Sequence, residues 1–148
     1  MTKTNNTGKV TEVIGPVVDV YFEGNEPAIQ EALTIPANSM HGEITLEVAS
    51  HIGLERVRTI ALTETSGLSR GEEVIRTGAP ISVPVGDAAL GRLFNVLGNT
   101  IDGGEALKKD VQKLPIHRQP PTFDEQTTRA EIFETGIKAI DLMIPFLK

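Results

Sequence analysis

The side chains able to do chemistry in this 148-residue chain are few and far apart. Its three histidines, His41, His51 and His117, include no i, i+4 pair of the kind that sets two imidazoles on one helical face for a metal ion, so surface histidine is the default reading. Glu131, Glu134 and Asp141 come nearest to a paired acid/base set. General acid–base work, however, needs two carboxylates converging in a closed pocket, and hydrogen-bonded or solvated structural carboxylates are the commoner outcome. A loop for nucleotide phosphates requires G-x-x-x-x-G-K-[ST], whose backbone N–H groups cradle the phosphates while the lysine neutralises charge. That pattern occurs nowhere in the chain, and the single Gly-Lys pair, Gly8-Lys9, is followed by Val10 and leads into a strand. Asn5-Asn6-Thr7 fits the glycosylation pattern, but no signal peptide accompanies it. Arg92 is a candidate to pair with a carboxylate at a domain or subunit contact, on equal terms with an ordinary exposed arginine. No residue is named as catalytic, as a cofactor contact or as a metal ligand.

Composition narrows the classes further. With 14 basic against 20 acidic residues the net charge is -6, so the overall field gives no help to non-specific binding of nucleic acid or anionic lipid. The absence of cysteine excludes disulfides and thiolate metal sites. The start, MTKTNNTG, lacks the apolar core of a signal peptide, and no apolar run approaches the roughly 18 residues of a membrane span. Aromatics are 4% and tryptophan is absent, which predicts a core of Val, Ile and Leu.

The elements that must position these residues begin with strands. Lys9 to Phe22 is β-rich, with Val18, Val20 and Phe22 alternating against Asp19 and Tyr21, and with Gly15-Pro16 as a bulge or bend. Gly24 to Pro27 reads as a turn and Ala28 to Ile35 as a short strand or a helical turn, with strand favoured at Ala32 to Ile35, followed by a loop from Pro36 to Gly42. Glu43 to Ala49 directs Ile44, Leu46 and Val48 inward; Val57 to Leu62 and Glu73 to Arg76 add two more strands, with Ser66-Gly67 and Arg70-Gly71 bracketing a tight connection. Short strands at this spacing predict a small antiparallel barrel or a sandwich.

From Pro80 the character of the chain changes. Asp87 is placed to cap a helix along which Leu90, Leu93, Phe94 and Leu97 share one face, with Gly98 as a left-handed stop and Gly91 in mid-helix where a close neighbour would exclude a Cβ. Beyond it, Glu105 to Lys113 is charged surface, and Pro115, Pro120 and Pro121 preclude regular helix. Ala130 to Glu134 reads as a strand and Ile137 to Met143 as a helix, with Ile137, Ile140 and Ile144 on one side and Pro145 ending it.

Three stretches carry a family resemblance. PVGDAALGRLFNVLGNTIDG, from Pro84 to Gly103, resembles the segment joining the N-terminal barrel to the nucleotide-binding domain in the head subunits of the rotary ATP synthase. GKVTEVIGPVVDVY, from Gly8 to Tyr21, resembles that family's first strands, and Ile116 to Phe146 resembles its approach to the P-loop. VRTIAL at Val57 to Leu62 and IHRQPP from Ile116 resemble the catalytic β subunit rather than the α subunit.

The resemblance implies a mainly β chain: a small closed β-barrel over residues 1–80, then over 81–148 a linker helix and the start of an α/β P-loop domain, ending before the P-loop itself. It tips the choice from sandwich to barrel. It implies the subunit that makes ATP from ADP and phosphate using a transmembrane proton gradient, in a hexameric ring alternating with α subunits around a central shaft subunit. Such a subunit is peripheral, on the cytoplasmic side of the cell membrane in the bacterial type, with no nucleic acid partner and no direct membrane insertion. ATP or ADP with magnesium would serve the full-length subunit, and none is expected to bind this stretch alone. The barrel's part would be ring assembly, so Ile29, Met40 and Leu54, apolar in loops or turns, are expected on one flank. The competing readings are a vacuolar-type or secretion-associated relative and, from another class, a small-barrel nucleic-acid-binding module, which would need aromatic platforms and a basic groove.

Overall fold

A computed structural model describes residues 6–108, 110–125 and 131–147. The chain forms two compact units, Met1–His117 and Arg118–Lys148.

Six strands of the first unit close into a barrel: β1 (Thr7–Ile14), β2 (Val17–Tyr21), β3 (Glu31–Ile35), β4 (Ile44–Gly53), β5 (Arg56–Ala61) and β6 (Glu73–Pro80). Their order around the wall is β1-β2-β5-β4-β3-β6, with β6 returning to pair β1, and every pairing is antiparallel. Closure decides between the barrel and the sandwich, and it leaves none of these six strands with a free edge. The period-2 alternation supplies the filling: Val10, Val18, Val20, Leu33, Ile35, Ile44, Leu46, Val48, Val57 and Val74 point inward with Phe22 as the one aromatic, and all are buried. Bulges bend the wall where the register slips, twice in the ten-residue β4, once in β1 between Val10 and Glu12, and once in β6 opposite Glu31 to Leu33.

The registers also fix what stands at each end. The Gly15-Pro16 turn, the Pro36–Gly42 loop and the connection from Leu62 to Glu72 lie at one end; the turn at Leu54-Glu55, the connection between β2 and β3, and the exit of the chain at Pro80 lie at the other. Gly15-Pro16 is therefore a two-residue hairpin turn rather than a bulge or bend, since Ile14 faces Val17 across it. Gly15 has φ 58° and Pro16 holds its own φ negative, the sign pattern of a II′ turn.

The linker helix expected from Asp87 to Leu97 does not form. Only a 3-10 turn, Asp87–Ala89, is present, preceded by Gly86, with no side-chain cap from Asp87. Gly91 turns the chain at φ 70° with open space where a Cβ would stand, so its role is conformational and not close packing. Asn95 then competes for the backbone: its side-chain oxygen accepts from the N–H groups of Leu97 and Asn99, its own N–H donates to the Asn99 carbonyl, and Phe94 bridges Thr100. Gly98 does adopt the left-handed conformation, φ 76°, but within this turn rather than at a helix end. The apolar spacing suggested a helix, and local turn chemistry decided otherwise. Beyond it, β7 (Ser82–Pro84) pairs with β8 (Lys113–Pro115), a two-stranded ladder that proline-rich sequence had concealed.

The second unit holds β9 (Ile132–Phe133), α1 (Lys138–Met143) and β10 (Phe146–Leu147), with β9 and β10 antiparallel. The expected strand from Ala130 is present as β9, Ala130 itself lying outside the described residues, and the expected helix is present one residue shorter. Ile137, Leu142, Met143, Ile144, Phe146 and Leu147 are all exposed, as are Leu90 and Leu93 of the first unit.

Two substitutions probe the barrel by opposite errors of volume. Leu46→Ala empties a fully buried site and should cost about 2–5 kcal/mol. Gly8→Ala would set a Cβ 2.6 Å from the Tyr21 carbonyl oxygen and 2.7 Å from the Phe22 ring, backbone and core together, and should cost about 1–3 kcal/mol. Urea denaturation followed by circular dichroism measures both, and a Gly8→Ala midpoint equal to wild type would contradict the packing described.

Candidate functional site

The charged side chains of the barrel are the residues on which a functional reading must rest, and the strands pair most of the informative ones with each other. Asp19 on β2 and Arg58 on β5 are register partners; the guanidinium donates through Nε and Nη2 to the two carboxylate oxygens at 2.9 Å each. Asp19 is buried, although its position in the alternation read as outward. The fork from the neighbouring strand covers it and compensates its charge.

Glu31, at the start of β3, is bonded through both of its oxygens. It accepts from Arg76 Nε at 2.9 Å and Nη2 at 2.8 Å, from the Ala28 N–H at 3.0 Å and from the Gly78 N–H at 3.1 Å. Arg76 Nη1 also donates to the Asn25 carbonyl. Burial alone would raise the Glu31 pKa; the guanidinium and the two backbone N–H groups outweigh it and hold the carboxyl below its ordinary value.

Smaller clusters occupy the two ends. At the exit end the Tyr21 hydroxyl donates to Glu55, which also accepts from the Gly24 N–H, and the Glu55 N–H donates to Glu26. His51 bonds the Pro27 carbonyl. At the opposite end His41 stands between Glu72 and the Gly42 carbonyl. His117, on the segment after the β7–β8 ladder, bonds Glu47 of β4 at 2.9 Å. Each histidine is thus a hydrogen-bonded structural residue, and for His41, whose side chain is only 3% exposed, the surface reading was wrong.

Arg92 does pair with a carboxylate, but within its own loop: it forks onto Asp102 and donates to the Glu105 carbonyl at 2.8 Å. The guanidinium holds Asp102 well below the usual carboxylate range. Asp141 accepts from the Thr135 hydroxyl and from the N–H groups of Thr135 and Gly136, which lowers its pKa and ties down the chain entering α1. Asp141 thus has a structural task. Asn5 of the glycosylation pattern lies outside the described residues.

What this arrangement can do chemically is limited. Among the described residues no three or more His, Asp or Glu side chains gather as a metal site. Gly8-Lys9 lies inside β1, and the open groove beside it is lined by Thr7, Lys9, Tyr21, Glu23 and Glu73, so one cation faces two carboxylates and no anion site results. A nucleic-acid face is opposed on the same grounds. Phe22 is fully buried, the Tyr21 hydroxyl is committed to Glu55, and Arg58 and Arg76 are committed to carboxylates. Ile29, Met40 and Leu54 are all exposed, on connections to the neighbouring strands β3, β4 and β5, with Met40 at the opposite end of the barrel from the other two. Among the described residues no helix is long and apolar enough to cross a membrane.

Residues 10–78 match the sequence model of the ATP synthase alpha/beta family, beta-barrel domain. The matched span begins within β1 and ends within β6, so it takes in all or part of every barrel strand. The match supports that family for the barrel.

Three outcomes follow from the site. Removing the Glu31 carboxylate as Glu31→Ala leaves Arg76, 13% exposed at its side chain, without its counter-charge and should destabilise by about 3–5 kcal/mol. Because the folded pKa of Glu31 lies below 4.5, its contribution is present above that value and is lost as pH falls through the folded value. Acid titration of stability should therefore be shallower in Glu31→Gln than in wild type, and identical acid limbs would contradict the assignment. Calorimetry with magnesium-ATP should show binding no tighter than roughly millimolar, since no phosphate loop supplies charge-assisted contacts. A micromolar dissociation constant would overturn that reading.

Proposed function

We propose that this chain is the N-terminal part of the catalytic β subunit of a rotary, F-type ATP synthase, and that its barrel is an assembly domain rather than a reacting one. A closed six-stranded barrel whose strands coincide with the matched span carries this reading. Closure matters physically: a barrel with no open edge cannot grow by strand addition, so its contacts with neighbours run through side chains of its outer wall and loops, which can be made specific for one partner. The β subunit is preferred over its α counterpart on the VRTIAL and IHRQPP stretches.

In this account the barrel sits in an alternating ring with α subunits around a central shaft, and residues 81–148 lead into the nucleotide-binding domain. The exposed apolar residues of the second unit, among them Ile137, Ile144 and Phe146, fit a surface that the remainder of such a domain covers, each gaining about 1.5–3 kcal/mol on burial. The full-length subunit would bind ATP or ADP with magnesium through a P-loop further along, and would be peripheral to the cell membrane. Its chemistry, synthesis of ATP coupled to a proton gradient, would belong to that later part of the subunit together with the α neighbour.

The test is made on the full-length subunit. Removing residues 1–80 should leave magnesium-nucleotide binding by the later domain intact while the ring with α no longer forms, as read by native mass spectrometry. A ring of full stoichiometry from the truncated subunit would remove the assembly role from the barrel.

A further inference from the structure

At the end of the barrel away from the chain exit, the His41 imidazole and the Asn38 amide of the loop Pro36–Gly42 both meet Glu72 on the connection between β5 and β6. His41 Nε2 lies 2.7 Å from Glu72 Oε2, and Nδ1 lies 2.6 Å from the Gly42 carbonyl oxygen. The Asn38 side-chain amide donates to Glu72 Oε2 at 3.1 Å and sits 3.0 Å from Nε2, while its oxygen accepts from the N–H groups of Met40 and His41. Glu72 Oε1 accepts from the Ser69 N–H at 2.8 Å. The two segments also meet at backbone: a Cβ on Gly67 would stand 2.7 Å from the Met40 carbonyl oxygen.

Both ring nitrogens face oxygens that can only accept. A neutral imidazole carries one N–H, so one of the two contacts would set a lone pair against an oxygen; if Nδ1 keeps its proton, Asn38 can donate to Nε2, but Nε2 still faces the carboxylate at 2.7 Å. The imidazolium satisfies both. The elements packed against the ring are its own loop and the β5–β6 connection, and the charged group they direct at it is Glu72.

We propose that His41 is a charged latch, held as the imidazolium in the folded barrel, and that deprotonation releases the Pro36–Gly42 loop from the end of the barrel. The Gly42 carbonyl and the Glu72 carboxylate raise the His41 pKa above its ordinary 6.5 against a smaller opposing effect of burial. Burial would raise Glu72, and the contacts with His41 and the Ser69 N–H reverse this and lower it from 4.5. The stabilisation is therefore complete below pH 6.5 on the histidine side and is lost as pH rises through the folded His41 value. On the acid side it is lost as pH falls through the lowered Glu72 value. The latch belongs to the barrel itself and holds whether or not the barrel enters a ring.

Nuclear magnetic resonance on the full chain between pH 5 and pH 9 tests it. The His41 ring and the amides of Met40, His41, Gly67 and Ser69 should titrate together, with a midpoint above that of His41 in the urea-unfolded chain, while the amides of Val48 and Val57 stay in place. In Glu72→Gln the His41 midpoint should fall towards the unfolded value. In His41→Gln the pH step at Gly67 and Ser69 should vanish. A His41 midpoint at or below the unfolded value, or a step at Gly67 that survives in His41→Gln, would overturn the proposal. The wild-type titration decides the matter even if a variant does not fold.

Discussion

The barrel depends on one seam. Strands β3 and β6 are separated by the whole of β4 and β5 and by the connections between them, yet their pairing is what turns a curled sheet into a closed wall. The closure of so long a loop costs chain entropy before any contact offsets it. At that seam stands Glu31, with four donors on its two oxygens, and the Thr77 hydroxyl adds a bond to the Ala32 carbonyl. Where the register slips opposite Glu31 to Leu33, Glu31 accepts from the Gly78 N–H of β6. Arg76 both neutralises it and reaches the Asn25 carbonyl, so the β2–β3 connection is held by the same fork. A buried carboxylate is a poor source of net stability against an apolar substitute, but a poorly paired one is severely destabilising. The arrangement thus specifies which strands meet as much as it holds them.

How much of this was legible in sequence varies with the physics of each element. Strands β2, β4 and β5 could be read because alternation of Val, Ile and Leu with polar residues maps directly onto inside and outside. Asp19 and Glu31 could not, because their burial is made possible by arginines 39 and 45 residues away, and only the strand order brings those together. The His41 latch was hidden for the same reason, its partner Glu72 lying 31 residues on. The stretch after Pro80 misled in a different way. Leu90, Leu93, Phe94 and Leu97 have helical spacing, but Gly91, Asn95 and Gly98 carry turn chemistry of comparable strength, and Leu90 and Leu93 stay exposed, so burial of that face does not favour a helix.

The candidate site was legible chiefly by exclusion. Absence of a phosphate-loop pattern and the spread of the histidines could be read directly, and the structure adds that Arg58, Arg76 and the Tyr21 hydroxyl are already committed to internal carboxylates. The match over residues 10–78 to the beta-barrel domain of the ATP synthase alpha/beta family supports a relation that the barrel's own chemistry does not reveal.

The central claim is that the closed barrel is one cooperative unit whose integrity rests on the β3–β6 seam. Native-state amide exchange at increasing denaturant measures it most directly. If the seam closes the unit, amides of β3 and β6 should open with the same free energy and the same denaturant dependence as those of β2 and β5, converging on global unfolding. Exchange of β3 and β6 through a smaller, denaturant-insensitive opening, with β2 and β5 still protected, would show that the remaining strands stand without the seam and would contradict the account.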